Sequence, residues 1–109
     1  MATIKGFEDL DLRVGRITAV EPFPEARKPA YRLTIDFGPL GTRRSSAQLT
    51  ALYAPDELPG RLVIAVCNLP PRRIAGFVSE VLVLGVPDEE GRVVLLVPER
   101  NIPLGGRVY

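Results

Sequence analysis

The seven residues Tyr31-Arg32-Leu33-Thr34-Ile35-Asp36-Phe37 alternate apolar and polar side chains without a break. A period of two belongs to an extended strand with one wet face, so Tyr31, Leu33, Ile35 and Phe37 share the dry side and Arg32, Thr34 and Asp36 the other. Such a strand is half-buried and needs a sheet around it and a core beneath it.

The rest of the chain supplies that sheet. LRVGRITAV (12–20) alternates through Leu12 and Val14, then changes phase at Gly15 to Ile17 and Ala19, which predicts a bulge at the glycine. TRRSSAQL (42–49) continues as a polar strand and RLVIAVCNL (61–69) as an apolar one. SEVLVLGV (79–86) and RVVLLVP (92–98) read as two long apolar strands joined by the turn Pro87-Asp88-Glu89-Glu90-Gly91. Between the third and fourth strands, Thr50 and Pro55-Asp56-Glu57 carry helix-start signals that Pro59-Gly60 stops, and residues 3–11 open the chain as a short helical segment. Three strands, a helical connection and further strands predict an all-β, five-stranded Greek-key barrel of the OB type, with short helices and added terminal strands, as a single domain over residues 1–109.

Composition removes most chemistry. With no histidine, neither a Ser-His nor a Cys-His nucleophile pair can be built, and with Cys67 as the only cysteine no ordinary structural zinc site can be assembled. No phosphate-cradling glycine loop appears. Asp56-Glu57 and Asp88-Glu89-Glu90 stand beside proline or glycine, where acids favour turns. The expectation is a protein that is not an enzyme, with no catalytic residues, no metal and no cofactor. Cys67 reads as a small apolar filler of a buried strand. The longest apolar run, LVIAVC (62–67), is far short of the ~20 residues a spanning helix needs, and MATIKGFEDLD lacks a signal-peptide core. A cytoplasmic protein with no membrane insertion is expected.

The net charge of +1 conceals an asymmetry. Residues 27–73 carry eight bases against three acids, and the remainder six against ten. Three adjacent basic pairs, Arg27-Lys28, Arg43-Arg44 and Arg72-Arg73, sit in separate connections or strand ends, so a fold that gathers them makes a basic patch. An OB barrel binds ligands across strands two and three, where Arg32, Thr34, Arg44, Ser46 and Gln48 supply the polar positions.

LDLRVGRI, NLPPRRIAG and FVSEVLVLG resemble the motifs of the tRNA-binding domain found both as a free-standing protein and appended to aminoacyl-tRNA synthetases. FPEARKPAYRLTIDFGPLG, RRSSAQLTALY and NLPPRRIAGFVSEVLVLGVPDEEG are more narrowly similar to the bacterial CsaA-type secretion chaperones, which are dimers of this OB domain. The chain departs from the RNA-binding pattern at Val81-Leu82, where Gly-Met is usual, and at Phe23-Pro24-Glu25-Ala26-Arg27, where His-Pro-Asn-Ala-Asp is usual. The resemblance implies an ATP-independent chaperone that binds unfolded preproteins in protein export, with a secretion motor ATPase as a further partner. The alternative is a structure-specific tRNA binder. On either reading the ligand surface is expected to comprise Arg27, Lys28, Arg32, Arg43, Arg44, Ser46, Gln48, Arg72, Arg73, Phe77, Ser79 and Glu80, with Phe23 and Tyr31 adding apolar contact.

For Ser79 and Glu80 two roles stay open. They either bond loop amides or an arginine at the barrel mouth, or they touch the ligand. The segments that follow, Val81–Leu84 and Val93–Val97, are apolar on both faces, and an uncovered outer face would be larger than monomers usually expose. The N-terminal helix, with Ile4, Phe7 and Leu10, is expected to hide part of it. A homodimer interface through Val81, Val83, Val94 and Leu96 is expected to hide the rest.

Overall fold

A computed structural model describes residues 1–109. The elements are α1 (Ile4–Glu8), β1 (Leu12–Pro22), β2 (Tyr31–Asp36), β3 (Thr42–Ala47), β4 (Leu62–Val66), β5 (Arg72–Ile74), β6 (Phe77–Ser79), β7 (Leu82–Val83), β8 (Gly85–Pro87) and β9 (Val93–Leu95). Five strands form one antiparallel sheet in the order β3-β2-β1-β4-β7, curled into a nearly closed barrel of the OB type. Two hairpins, β5–β6 and β8–β9, stand beside it.

The alternation in β2 is realised as expected: Tyr31, Leu33 and Ile35 are buried and the residues between them half-buried. With Phe37, Ile17, Val63, Ala65 and Leu58 they fill the barrel. Ser45 is the one polar side chain sealed completely within it, and its hydroxyl donates to the Val81 carbonyl at 3.0 Å.

Several expectations are corrected. The break in β1 falls between Ile17 and Ala19, not at Gly15. Gly15 serves close packing instead: a Cβ there would lie 2.5 Å from Ile35 Cγ2 and 2.8 Å from Phe37 Cε1. The connection between β3 and β4 contains only a 3-10 turn, Pro55–Glu57, because Pro55 and Pro59 leave too little chain for an α-helix. Residues 77–87 are not one long strand. They change partners repeatedly, from β5 to β3, then β4, then β9, and each change interrupts the ladder. The segment α1, capped by Thr3, holds no fully buried residue; Phe7 and Leu10 are each 39 % exposed, and Arg107 donates to the Glu8 carbonyl at 2.8 Å.

The β5–β6 hairpin turns through Ala75 and Gly76, both at positive φ, the two-residue turn whose twist matches antiparallel strands. The hairpin and the loop before β2 enclose a second small core of Phe23, Ala30 and Phe77, outside the barrel proper. No helix is long and apolar enough to cross a membrane.

Candidate ligand-binding face

The free edge of β3 leaves the backbone N–H groups of Arg44 and Ser46 without a strand to pair with. Ser79 and Glu80 supply the missing acceptors. The Arg44 N–H donates to Glu80 Oε1 at 2.9 Å, the Ser46 N–H to Ser79 Oγ at 3.0 Å, and the Glu80 N–H returns to the Arg44 carbonyl at 2.8 Å. Two side chains thereby sew the barrel shut where a ladder runs out. Both residues also line the groove that runs along the β5–β6 hairpin, so closing the seam does not remove them from the expected ligand surface.

Beside the seam lies a layered cluster. The outer faces of β1, β2 and β3 put Glu21, Arg32 and Ser46 in one cross-strand row, with Ala19, Thr34 and Arg44 in the next. Glu21 takes a short hydrogen bond from Arg44 and lies 4.0 Å from Arg32 Nη2. The Arg44 guanidinium sits 4.8 Å over the Phe77 ring, and that of Arg32 lies 5.4 Å over Phe23. The two rings meet edge to face at 5.4 Å. Arg32 Nε is buried without a hydrogen-bond partner.

From this cluster a groove runs along the hairpin. One end, about 160 Å³, is walled by Leu69, Pro70, Ile74 and Leu82. The other, about 280 Å³, is lined by Arg27, Lys28 and Gln48. Ser46, Arg72 and Ile74 line both parts, which makes one continuous channel, apolar at one end and basic at the other. Arg27, Lys28 and Arg72 form no salt bridge.

The structure gathers part of the expected surface and disperses the rest. Strand alternation splits two of the basic pairs. Arg44 faces outward, while Arg43 leaves β3 on the side of Ser45 and Ala47, where its charge reaches Cys67. Arg72 faces the groove with Ile74, while Arg73 pairs with Val78 on the opposite side of the hairpin. Phe77 is only 8 % exposed, beneath Arg44, and Phe23 and Tyr31 are also buried within the fold, lining a separate open depression of about 400 Å³ rather than the groove. Their place is taken by Leu69, Pro70 and Leu82. Leu69 and Pro70 carry no sequence signal, because no periodicity marks a loop residue as groove wall, and Leu82 sits in a run apolar on both faces, which hides its outward position. Glu21 was missed as well, although it follows Ala19 at strand spacing.

The expected interface set shifts too. Val81 is 4 % exposed and belongs to the barrel core, and Val83 packs against that core. Leu82 (46 %), Val94 (37 %), Leu96 (38 %) and Val97 (51 %) are the apolar residues of these two segments that face outward, and Leu82 is already a wall of the groove.

Residues 12–107 match the family described as "Putative tRNA binding domain". The chain belongs to this tRNA-binding-domain family. Its fold and sequence are similar to a CsaA chaperone from Bacillus anthracis, at 53 % identity and a TM-score of 0.94 over 100 % of this chain and 99 % of that one. A CsaA chaperone from Picrophilus torridus is similar at 48 % identity and a TM-score of 0.93, with both chains fully covered. Family members also occur within larger enzymes: a methionine–tRNA ligase from Sorangium cellulosum is 43 % identical over 107 residues, 98 % of this chain but 15 % of the ligase. The chain thus spans about a sixth of the curated ligases it matches. The family, with these neighbours, supports a chaperone or tRNA-binding role.

Proposed function

We propose that this protein is a non-catalytic, ATP-independent chaperone that binds extended segments of unfolded or export-bound polypeptide in the cytoplasm, as a homodimer. The groove carries this reading. An extended chain places successive side chains several ångströms apart, so one segment can set an apolar residue against Leu69, Pro70 and Leu82 while an acidic residue meets Arg27, Lys28 or Arg72. The two CsaA chaperones of similar fold support the same reading. The outward residues Val94, Leu96 and Val97 are the surface we assign to the second subunit, and a secretion motor ATPase is the partner that would receive the client.

The competing reading, tRNA binding, is favoured by the family match. The two diverge in salt dependence. Binding through phosphate contacts loses affinity steeply as salt rises, by orders of magnitude for about six contacts, whereas burial of apolar side chains is insensitive to screening. Titrating an unfolded preprotein and tRNA in parallel across a salt series separates them. The expected result is preprotein binding that persists at physiological salt, weakens severalfold with Leu69→Ser or Arg72→Ala, and suppresses aggregation. Tight tRNA binding at that salt with no preprotein binding would replace this reading with the other.

A further inference from the structure

The cluster around Glu21 contains more than the groove requires. Two guanidinium groups sit over two phenyl rings that brace each other edge to face, so both cations are held in place before any ligand arrives. Each guanidinium has five N–H donors, and Glu21 engages only a few of them. Arg32 Nε is buried and unpaired, so the donors Arg32 can offer a ligand are those of its Nη groups. A pair of pre-oriented forks with unused donors is an arrangement suited to a phosphodiester, which two arginines can grip together. Glu21 occupies that position with a carboxylate of the chain's own.

We propose that Glu21 is a specificity-determining residue that closes this two-arginine site to nucleic acid. A phosphate approaching Arg32 and Arg44 meets a negative charge already seated between them and must either displace it or be repelled by it. The groove cations Arg27, Lys28 and Arg72 are outside the clasp and remain available to isolated carboxylates. Rejection of the wrong ligand is thus built in as an unfavourable charge contact, and the same face can remain basic for polypeptide. The inference deepens the chaperone reading, yet it concerns the response to RNA and can be judged separately.

The test uses tRNA as the probe, with the intact protein and its Glu21→Gln variant, which keeps side-chain shape and removes the charge. Glu21 is half-exposed, and a thermal melt checks that the fold is retained. Glu21→Ala serves as a second variant if the amide perturbs the rings. Glu89→Gln, on the β8–β9 turn, changes net charge equally without touching either arginine. The expected result is a rise of about tenfold in tRNA affinity for Glu21→Gln at low salt, with the salt slope steeper by about one to two as two arginines become phosphate contacts. Glu89→Gln should change neither, and adding Arg44→Ala to Glu21→Gln should erase the gain. No gain in either Glu21 variant, or an equal gain in Glu89→Gln, overturns the proposal. Gain of tRNA binding in a protein that never binds preprotein sustains the clasp and defeats the chaperone function.

Discussion

Glu80 gives a carboxylate oxygen to a backbone amide, and that single contact holds more of the barrel together than its surface position suggests. Removing an acceptor from a partly buried N–H costs about 1–3 kcal/mol, because the donor loses its partner without regaining full hydration. Glu80→Ala should therefore lower unfolding stability by about 1–2 kcal/mol in chemical denaturation, toward the lower figure if water reaches Arg44 N. Glu80→Gln retains an acceptor oxygen and should keep most of the stability. Equal losses in both variants would point to the charge rather than the hydrogen bond. Cys67 shows a different logic. Burial pushes its thiol pKa up, Asp11 adds to the shift, and Arg43 and Arg13 only partly oppose it. A thiol held protonated is a poor nucleophile, in keeping with its role as packing for the barrel.

The β8–β9 hairpin shows the same economy in an element. Asp88 accepts the backbone N–H groups of Arg92 and Glu90 and pairs with the Arg92 guanidinium, all at 2.8 to 2.9 Å. The Arg92 backbone bond leads in lowering its carboxyl pKa below the ordinary aspartate range. A depressed folded-state pKa means stabilisation that is complete above the unfolded value, about 3.9, and is lost as pH falls through the folded one. Thermal melts of the protein and of Asp88→Asn should differ most near neutral pH and converge in strong acid. A gap that stays constant below pH ~4 would show that this carboxylate is not the group responsible. Elements of this kind were legible from sequence: the Pro-Asp-Glu-Glu-Gly turn and the alternation of β2 are local signals, and local signals survive folding. The fragmentation of residues 77–87 was not, because an apolar run does not say which strand it will pair with next. Nor was the burial of Phe77, since alternation over the three residues of β6 is too short to tell a core position from a ligand contact. The splitting of Arg43 from Arg44 was legible in principle, as neighbours in a strand must diverge.

For the molecule as a whole, Val94, Leu96 and Val97 stand outward, each more than a third exposed. Light scattering at micromolar concentration should give the mass of a dimer, and Val94→Asp with Leu96→Asp should return it to a monomer that keeps its fold. A monomeric parent protein would remove the second subunit from the proposal while leaving the groove intact. The barrel itself carries a vulnerability of another kind. A backbone ladder accepts almost any residue except proline, so an ordinary sheet edge drifts in sequence at little risk. Here two of the three bonds that close the edge come from side chains, and exchanging both for apolar residues would leave the Arg44 and Ser46 N–H groups of the β3 rim bare. A bare rim is a template on which other chains add as strands. Selection against self-association could therefore fall on Ser79 and Glu80 more heavily than any loss of binding would.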